Sequence, residues 1–334
     1  MKMTAGRHRQ KLLTWYRRQR REMPWRSEAG NPYCILLSEI MLQQTTVQTV
    51  IPVYEKFLQL FPTLETLAGA DEDEVLAAWA GLGYYRRARM LHQAAQEIHR
   101  RPEGWPVTAA ELQKLPGVGC YTAAAVASIA FGEMVPVLDG NVARLLSRWA
   151  LIPGDARRVA VRRQLLDTAR GFLNPRHPGD LNQAMMELGA TICHPQQPAC
   201  ARCPLRDGCG AFKENCISDF PPPAKRAPVV EEYQDVLIIR DKRGRYLLER
   251  KTDGGALQGL WCFPMRAGSE EARSTRKDGL GTIRHSIMNR RMILNIVKGA
   301  KAPGGSRARG RYVTREEISG LPRSSIVDKV LRLL

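Results

Sequence analysis

The chain has 334 residues, 44% of them hydrophobic, enough for two domains with ordinary cores. Its formal net charge of +18 favours a polyanionic partner, most simply nucleic acid. No apolar run approaches the roughly 20 residues that span a bilayer, and "MKMTAGRHRQKLLTWYRRQRREMPWR" has no apolar signal core. A membrane partner is therefore not expected, and a cytoplasmic, nucleoid-associated location is.

In chain order, the first two-thirds reads as helices. Within residues 9–21, Leu12, Leu13 and Tyr16 form a helical stripe. Residues 34–61 are a long apolar stretch with few polar interruptions. Residues 71–83 begin with acids and end in glycines, matching a helix start and stop. "LPGVG" at 115–119 leads into the Ala-rich segment 122–132, and helical stretches follow at 141–152 and 181–193. A break comes at 217–230, where Pro221, Pro222, Pro223 and Pro228 make a stiff, extended linker. Beyond it the period changes. Residues 233–250 read as strand, turn and strand about Asp241–Gly244, and 260–264 and 291–299 as further strands. Residues 299–311 form a Gly- and Arg-rich loop. Thr314 and Glu317 make a capping box, and 324–334 is a closing amphipathic helix. The expected division is 1–216, a linker at 217–230, and 231–334.

Four cysteines, Cys193, Cys200, Cys203 and Cys209, are spaced C-x6-C-x2-C-x5-C. The other four are scattered, which fits a reducing compartment with one metal site. Thiolates packed this tightly suit zinc or an iron–sulfur cluster. Upstream, Gly117 and Gly119 allow a tight turn without a Cβ penalty. The turn from Leu115 through Val118 presents backbone N–H groups at the start of a helix, where they grip a phosphate without reading sequence. An ordinary helix connection is the plainer alternative. Asp139 precedes Gly140 and a helix, so its simplest role is an N-cap. Twenty residues past a phosphate-gripping turn, its carboxylate also suits positive charge on a sugar. Glu39 lies in a strongly apolar neighbourhood. Burial there raises a carboxyl pKa above its usual value of about 4.3 and fits it for general-acid work. A surface Glu on an amphipathic helix is the commoner case.

These residues fall within a series of motifs: "MPWR", "SEIMLQQTTV", "FPTLETLA", "AGLGYYRRAR", "LPGVGCYTAAA", "LDGNVARLLSR", "LNQAMMELGATIC" and the cysteine quartet. From about residue 10 to 215, in this order, the chain resembles the MutY family of adenine DNA glycosylases, within the helix–hairpin–helix superfamily. The resemblance implies a multidomain fold. An all-α helix–hairpin–helix glycosylase region with an iron–sulfur cluster loop precedes an α+β Nudix-like domain. It implies base excision repair, by hydrolysis of the N-glycosidic bond of adenine mispaired with 8-oxoguanine or guanine in double-stranded DNA. A monomer is expected, with a 4Fe-4S cluster on the four cysteines and no nucleotide cofactor.

Carried over residue by residue, Glu39 is the acid that protonates adenine at N7. Asp139 stabilises the oxocarbenium-like sugar, and Asn141 lies beside it. The logic is that of glycoside hydrolysis, one acid for the leaving group and one carboxylate for the sugar. Gln44 and Tyr84 match residues that wedge into the base stack. Arg21, Trp25 and Arg26 match the adenine-pocket region, and Leu115, Gly117, Val118 and Gly119 the DNA-gripping hairpin. The cluster loop carries Arg202 and Arg206 toward phosphates. Tyr121 stands where the related bifunctional enzymes carry a Schiff-base Lys, so strand cleavage is not expected.

Residues from about 230 onward resemble the family's Nudix-like C-terminal domain, chiefly through "GLWCFP" and its flanking strands. The segment 265–282 lacks the R-E-x-x-E-E core that holds magnesium in Nudix hydrolases, so this domain is expected to recognise the lesion. Many bacterial members carry a Phe-Ser-His loop there. Alignment through "GTIRH" places Ile287, Met288 and Asn289 at that loop, and a shifted register offers His285 and Ser286. His285, Ser286 and Asn289 are therefore the candidate lesion-reading residues. Two rival readings remain. A thymine or uracil mismatch glycosylase usually lacks the C-terminal domain, and a non-catalytic DNA-binding iron–sulfur sensor would not need both carboxylates.

Overall fold

The computed structural model describes residues 2–28, 30–223, 228–252, 254–255, 257–268, 279–287, 289–299 and 310–334. Linker residues 224–227, Met288, the segment 269–278 and the Gly- and Arg-rich residues 300–309 lie outside the described residues. The helices are α1 (Lys2–Gln19), α2 (Pro24–Ser27), α3 (Pro32–Leu42), α4 (Val47–Leu60), α5 (Leu64–Ala68), α6 (Glu72–Ala78), α7 (Arg86–Arg100), α8 (Ala109–Leu112), α9 (Cys120–Ala130), α10 (Gly140–Ala150), α11 (Val159–Phe172), α12 (Pro178–Thr191) and α13 (Gly210–Lys213). They are followed by β1 (Val230–Ile238), β2 (Tyr246–Arg250), β3 (Trp261–Cys262), β4 (Met265–Ala267), β5 (Gly279–Ile287), β6 (Arg290–Lys298), β7 (Gly310–Val313), α14 (Arg315–Ser319) and α15 (Ser325–Leu331). Two compact units result: Met1–Val47 with Gln93–Lys225, and Gln48–His92 with Arg226–Leu334.

In the first unit, α1, α10, α11 and α12 bury one shared core. It includes Leu12, Tyr16, Leu146, Leu165, Phe172, Leu181 and Leu188. Helix α3 is buried from Tyr33 through Met41, so it has no solvent face. The apolar stretch 34–61 is two helices. The polar residues Gln43–Thr46 turn the chain, with Gln44 in the left-handed region at φ 58°. In α9, Gly119 at the N-cap offers no side-chain cap, so the first N–H groups of the helix stay available for an anion.

The second unit holds a four-stranded sheet in the order β4-β1-β6-β5 and a three-stranded sheet β3-β2-β7. β1 runs parallel to β6, and the other pairs are antiparallel. The predicted turn is present. Asp241 accepts from the N–H groups of Arg243 and Arg245, each at 2.9 Å. The strands beside it nonetheless enter different sheets. Val236, Leu248, Phe263, Leu294, Ile296, Ile326 and Val330 form the core between sheets and helices. The Thr314–Glu317 capping box closes the N-terminus of α14.

Candidate active site

Glu39 reaches its place because α3 is a buried, well-capped helix. Asn31 accepts from the N–H groups of Tyr33 (3.0 Å) and Cys34 (3.4 Å), and Pro32 starts the helix without wasting a donor. Asp139 caps α10. It accepts from the Val142 N–H at 2.7 Å and from the Asn141 side chain at 2.8 Å. The segment leading to it is pinned by Asn182, fully buried on α12. Asn182 accepts from the Val137 N–H (3.1 Å) and donates to the Val135 carbonyl and the Ser128 hydroxyl (both 2.9 Å). The N-cap reading and the catalytic reading of Asp139 are thus compatible, since one carboxylate does the capping while lining the site.

Glu39, Asp139, Tyr121, Asn141, Arg21, Trp25 and Arg26 line one cleft of about 290 Å³. That is near the lower end of the roughly 300–1,000 Å³ of ligand pockets, a size suited to one base-sized group. Glu39 is 8% exposed, and its Oε2 has no hydrogen-bond partner among the described residues. Burial pushes its pKa up to about 7. Tyr121 opposes the rise, Asp139 adds to it, and Arg26 opposes it weakly. Burial, together with the two carboxyl groups, holds the Tyr121 hydroxyl well above its usual range, so it stays a neutral donor.

A second buried carboxylate, Glu187 on α12, sits in the same cleft under opposite conditions. Burial would raise its pKa too, but Arg21 and Arg26 outweigh that and hold it at about 2. Arg21 donates through Nε (2.7 Å), Nη2 (3.0 Å) and its backbone N–H (3.0 Å), and Arg26 through Nη2 (2.8 Å). Two carboxyl groups, one kept protonated and one kept charged, are a recurrent way to run acid chemistry at neutral pH. The sequence reading did not single out Glu187. Its signal is a lone acid among the apolar residues Met185, Met186 and Leu188.

Asn141 also links outward. Its side-chain Oδ1 accepts from Arg144 Nη2 (2.9 Å), and Arg144 donates on to the backbone carbonyls of Gly189 (2.7 Å) and Cys193 (2.8 Å). Gly189 permits this approach of α12 to α10, because a Cβ there would lie 2.7 Å from the Asn141 carbonyl oxygen.

Cys193, Cys200, Cys203 and Cys209 line a common cavity with Arg148. Among the described residues no group of three or more ligating side chains is drawn close enough to hold a single metal ion. Arg148 is 4% exposed and clasps this loop. It donates to Cys193 Sγ (3.4 Å) and to the carbonyls of His194 (2.7 Å), Pro195 (2.9 Å) and Phe220 (2.8 Å). An all-sulfur donor set beside a buried guanidinium fits an anionic thiolate-bound cluster. Burial pushes the Cys203 thiol up to about 12, with neighbouring thiols adding to it, so cluster binding would release protons. Arg202 and Arg206 are both exposed on this loop.

The hairpin bends as expected, with Gly117 at φ 74°. The Leu115 and Val118 side chains are buried, so any contact they make with DNA runs through the main chain. Gln44 is exposed, and Tyr84, in the second unit, is 41% exposed at φ 48°. His285 and Ser286 belong to strand β5 and not to a loop. By alternation they face opposite sides, and His285 is half-buried with Nδ1 3.4 Å from Lys329 Nζ. Asn289 is exposed at the hairpin tip, its side-chain amide donating to the Pro228 carbonyl at 3.4 Å.

Residues 37–170 match the HhH-GPD superfamily of base excision DNA repair proteins, and residues 235–333 match the NUDIX domain. A solved thermostable thymine-DNA glycosylase is similar at 28% identity and a TM-score of 0.55, covering 62% of this chain and 95% of that one. Fold and site together define a DNA glycosylase with a Nudix-like second domain. The Mus musculus adenine DNA glycosylase is 34% identical over 397 residues, covering 97% of this chain and 77% of its own. The Homo sapiens adenine DNA glycosylase is 39% identical over 306 residues, covering 76% of this chain and 56% of its own. The chain belongs to the adenine DNA glycosylase family, the MutY family.

Proposed function

We propose that this chain removes adenine from double-stranded DNA, where the adenine is mispaired with 8-oxoguanine or guanine. The observation that carries the reading is Glu39, a buried carboxyl with its pKa near 7 in a base-sized cleft beside Asp139. Protonated Glu39 gives its proton to N7 of the extruded adenine. The C1′–N9 bond then breaks, and its electron pair leaves with the base. Asp139, fixed by Val142 and Asn141, faces the positive charge that develops on the sugar. Water adds at C1′, loses a proton, and leaves an abasic site. Tyr121 has no amine to form a Schiff base, so the phosphodiester backbone stays intact.

The four cysteines would hold a 4Fe-4S cluster, which when bound braces the loop carrying Arg202 and Arg206. The Nudix-like domain supports adenine over thymine as the target, since the thymine-DNA glycosylase structure leaves more than a third of this chain unmatched. Asn289 and Ser286 are exposed at the hairpin we assign to lesion reading, and His285 lies on the other side of β5 against Lys329. The test is single-turnover base release by Glu39→Gln and Asp139→Asn. Each is expected to lose at least about 100-fold while duplex binding persists. A near-wild-type rate in either variant would refute the assignment.

A further inference from the structure

Tyr84 and Tyr85 are neighbours with opposite environments. Tyr84 is 41% exposed, and Tyr85 is 6% exposed. The turn that leads into them puts Gly81 at φ 100° and Gly83 at φ 66°, which glycine adopts freely, and Tyr84 at φ 48°, where a side chain is strained. A left-handed tyrosine persists only where its surroundings over-determine it. On one side the restraint comes from Arg87 and Trp79. The Arg87 guanidinium lies 5.6 Å from the Trp79 ring centre and 5.4 Å from that of Tyr84. It donates to the carbonyls of Leu82 (3.2 Å) and Gly83 (3.3 Å), and the Trp79 indole donates to the Gly83 carbonyl (3.2 Å).

On the other side the restraint comes from a distant part of the chain. The Tyr85 hydroxyl donates to the Arg323 carbonyl at 2.7 Å. That carbonyl sits on a fixed corner between α14 and α15, because the Arg323 side chain donates to Asp328 (2.7 Å) and to the carbonyls of Ser319 (2.7 Å) and Ile318 (3.2 Å). Burial pushes the Tyr85 pKa up to about 12, so its proton stays on. One helical turn further, Arg89 pairs with Glu72 (3.1 Å) and donates to the Gln258 carbonyl. Arg250 pairs with Asp73 at 2.5 Å. Three ties, from Asp73, Tyr85 and Arg89, thus join the segment that contains Tyr84 to residues 250, 258 and 323.

We propose that Tyr85 is a positioning residue, whose bond to Arg323 ties the Tyr84 turn to the C-terminal domain and holds Tyr84 in the pose that enters the base stack. The inference rests on the reading of Tyr84 as a wedge. It makes the domain that reads the opposite base also set the side chain that opens the stack.

The test follows 2-aminopurine fluorescence, with the probe beside the adenine of a G:A duplex, after mixing with full-length protein. Tyr85→Phe removes only the hydroxyl and is expected to slow the fluorescence rise about three- to tenfold. Tyr84→Ala should slow it more, and the double variant should be no slower than Tyr84→Ala alone, because Tyr85 acts through Tyr84. Arg89→Met, which cuts the same junction, should show the same non-additivity. The pH midpoint of base release should not move in any of these variants. Wild-type unstacking by Tyr85→Phe, or losses that simply add, would overturn the inference. Wild-type unstacking by Tyr84→Ala would instead remove the wedge reading, and the inference with it.

Discussion

Glu39→Gln should make the protein inactive and, above neutral pH, more stable. Burial holds the Glu39 pKa at about 7 against an ordinary 4.5, with Asp139, Tyr121 and Arg26 as the charged and titratable neighbours. The native chain therefore keeps a proton that the unfolded chain releases between pH 4.5 and about 7. Stability falls as pH rises through that window, and the deficit is complete above it. At about 1.4 kcal/mol per pH unit the window amounts to roughly 3 kcal/mol. Glutamine has no proton to lose. It should match the wild type near pH 4.5 and exceed it at pH 8 by up to about 3 kcal/mol, a gain of roughly 6–12 °C in Tm. The same titration governs the wild-type rate. The protonated fraction falls from about nine-tenths at pH 6 to about one-tenth at pH 8, so single-turnover base release should drop about tenfold across that range. Urea unfolding at pH 5 and pH 8 and a rate profile from pH 5 to 8.5 measure both quantities. A rate that already declines from pH 5, or a glutamine variant with no gain at pH 8, would refute the assignment of Glu39 as a buried acid.

Two further predictions concern its neighbours. Glu187 is a carboxylate held at about 2, so its stabilising effect is present above pH 4.5 and is lost as pH falls toward 2. Glu187→Gln should cost about 3 kcal/mol at pH 7 and slow base release by freeing Arg21 and Arg26; an unchanged urea midpoint at pH 7 would contradict this. Anaerobically purified protein should contain about four irons per chain and absorb visible light, and Cys203→Ser should lower both. Zinc without iron would overturn the cluster.

Local patterns revealed much of the catalytic half. Asp139 before a helix and Glu39 in an apolar run both stand where their surroundings suggested, because capping and burial are local properties. Glu187 was illegible for the opposite reason. Its environment is made by Arg21, 166 residues away, and Arg26, 161 residues away. A single acid in a helix carries no mark of such partners. The packing of residues 48–92 with 226–334 was hidden likewise, since it depends on contacts such as Tyr85 with Arg323, 238 positions apart. Strand β5 escaped the pattern reading because its apolar positions are few and only half-buried. The expectation of a loop at His285 and Ser286 followed from that omission, and both lie in the strand.

The central claim is adenine release, and one panel tests it most directly. Single-turnover base release is measured on duplexes carrying 8-oxoguanine:A, G:A, G:T and G:U at one salt concentration, because salt alone changes DNA affinity steeply. The account predicts adenine release from the first two duplexes, fastest opposite 8-oxoguanine, with the strand uncut and nothing released from the others. Thymine or uracil release with adenine left in place would contradict it.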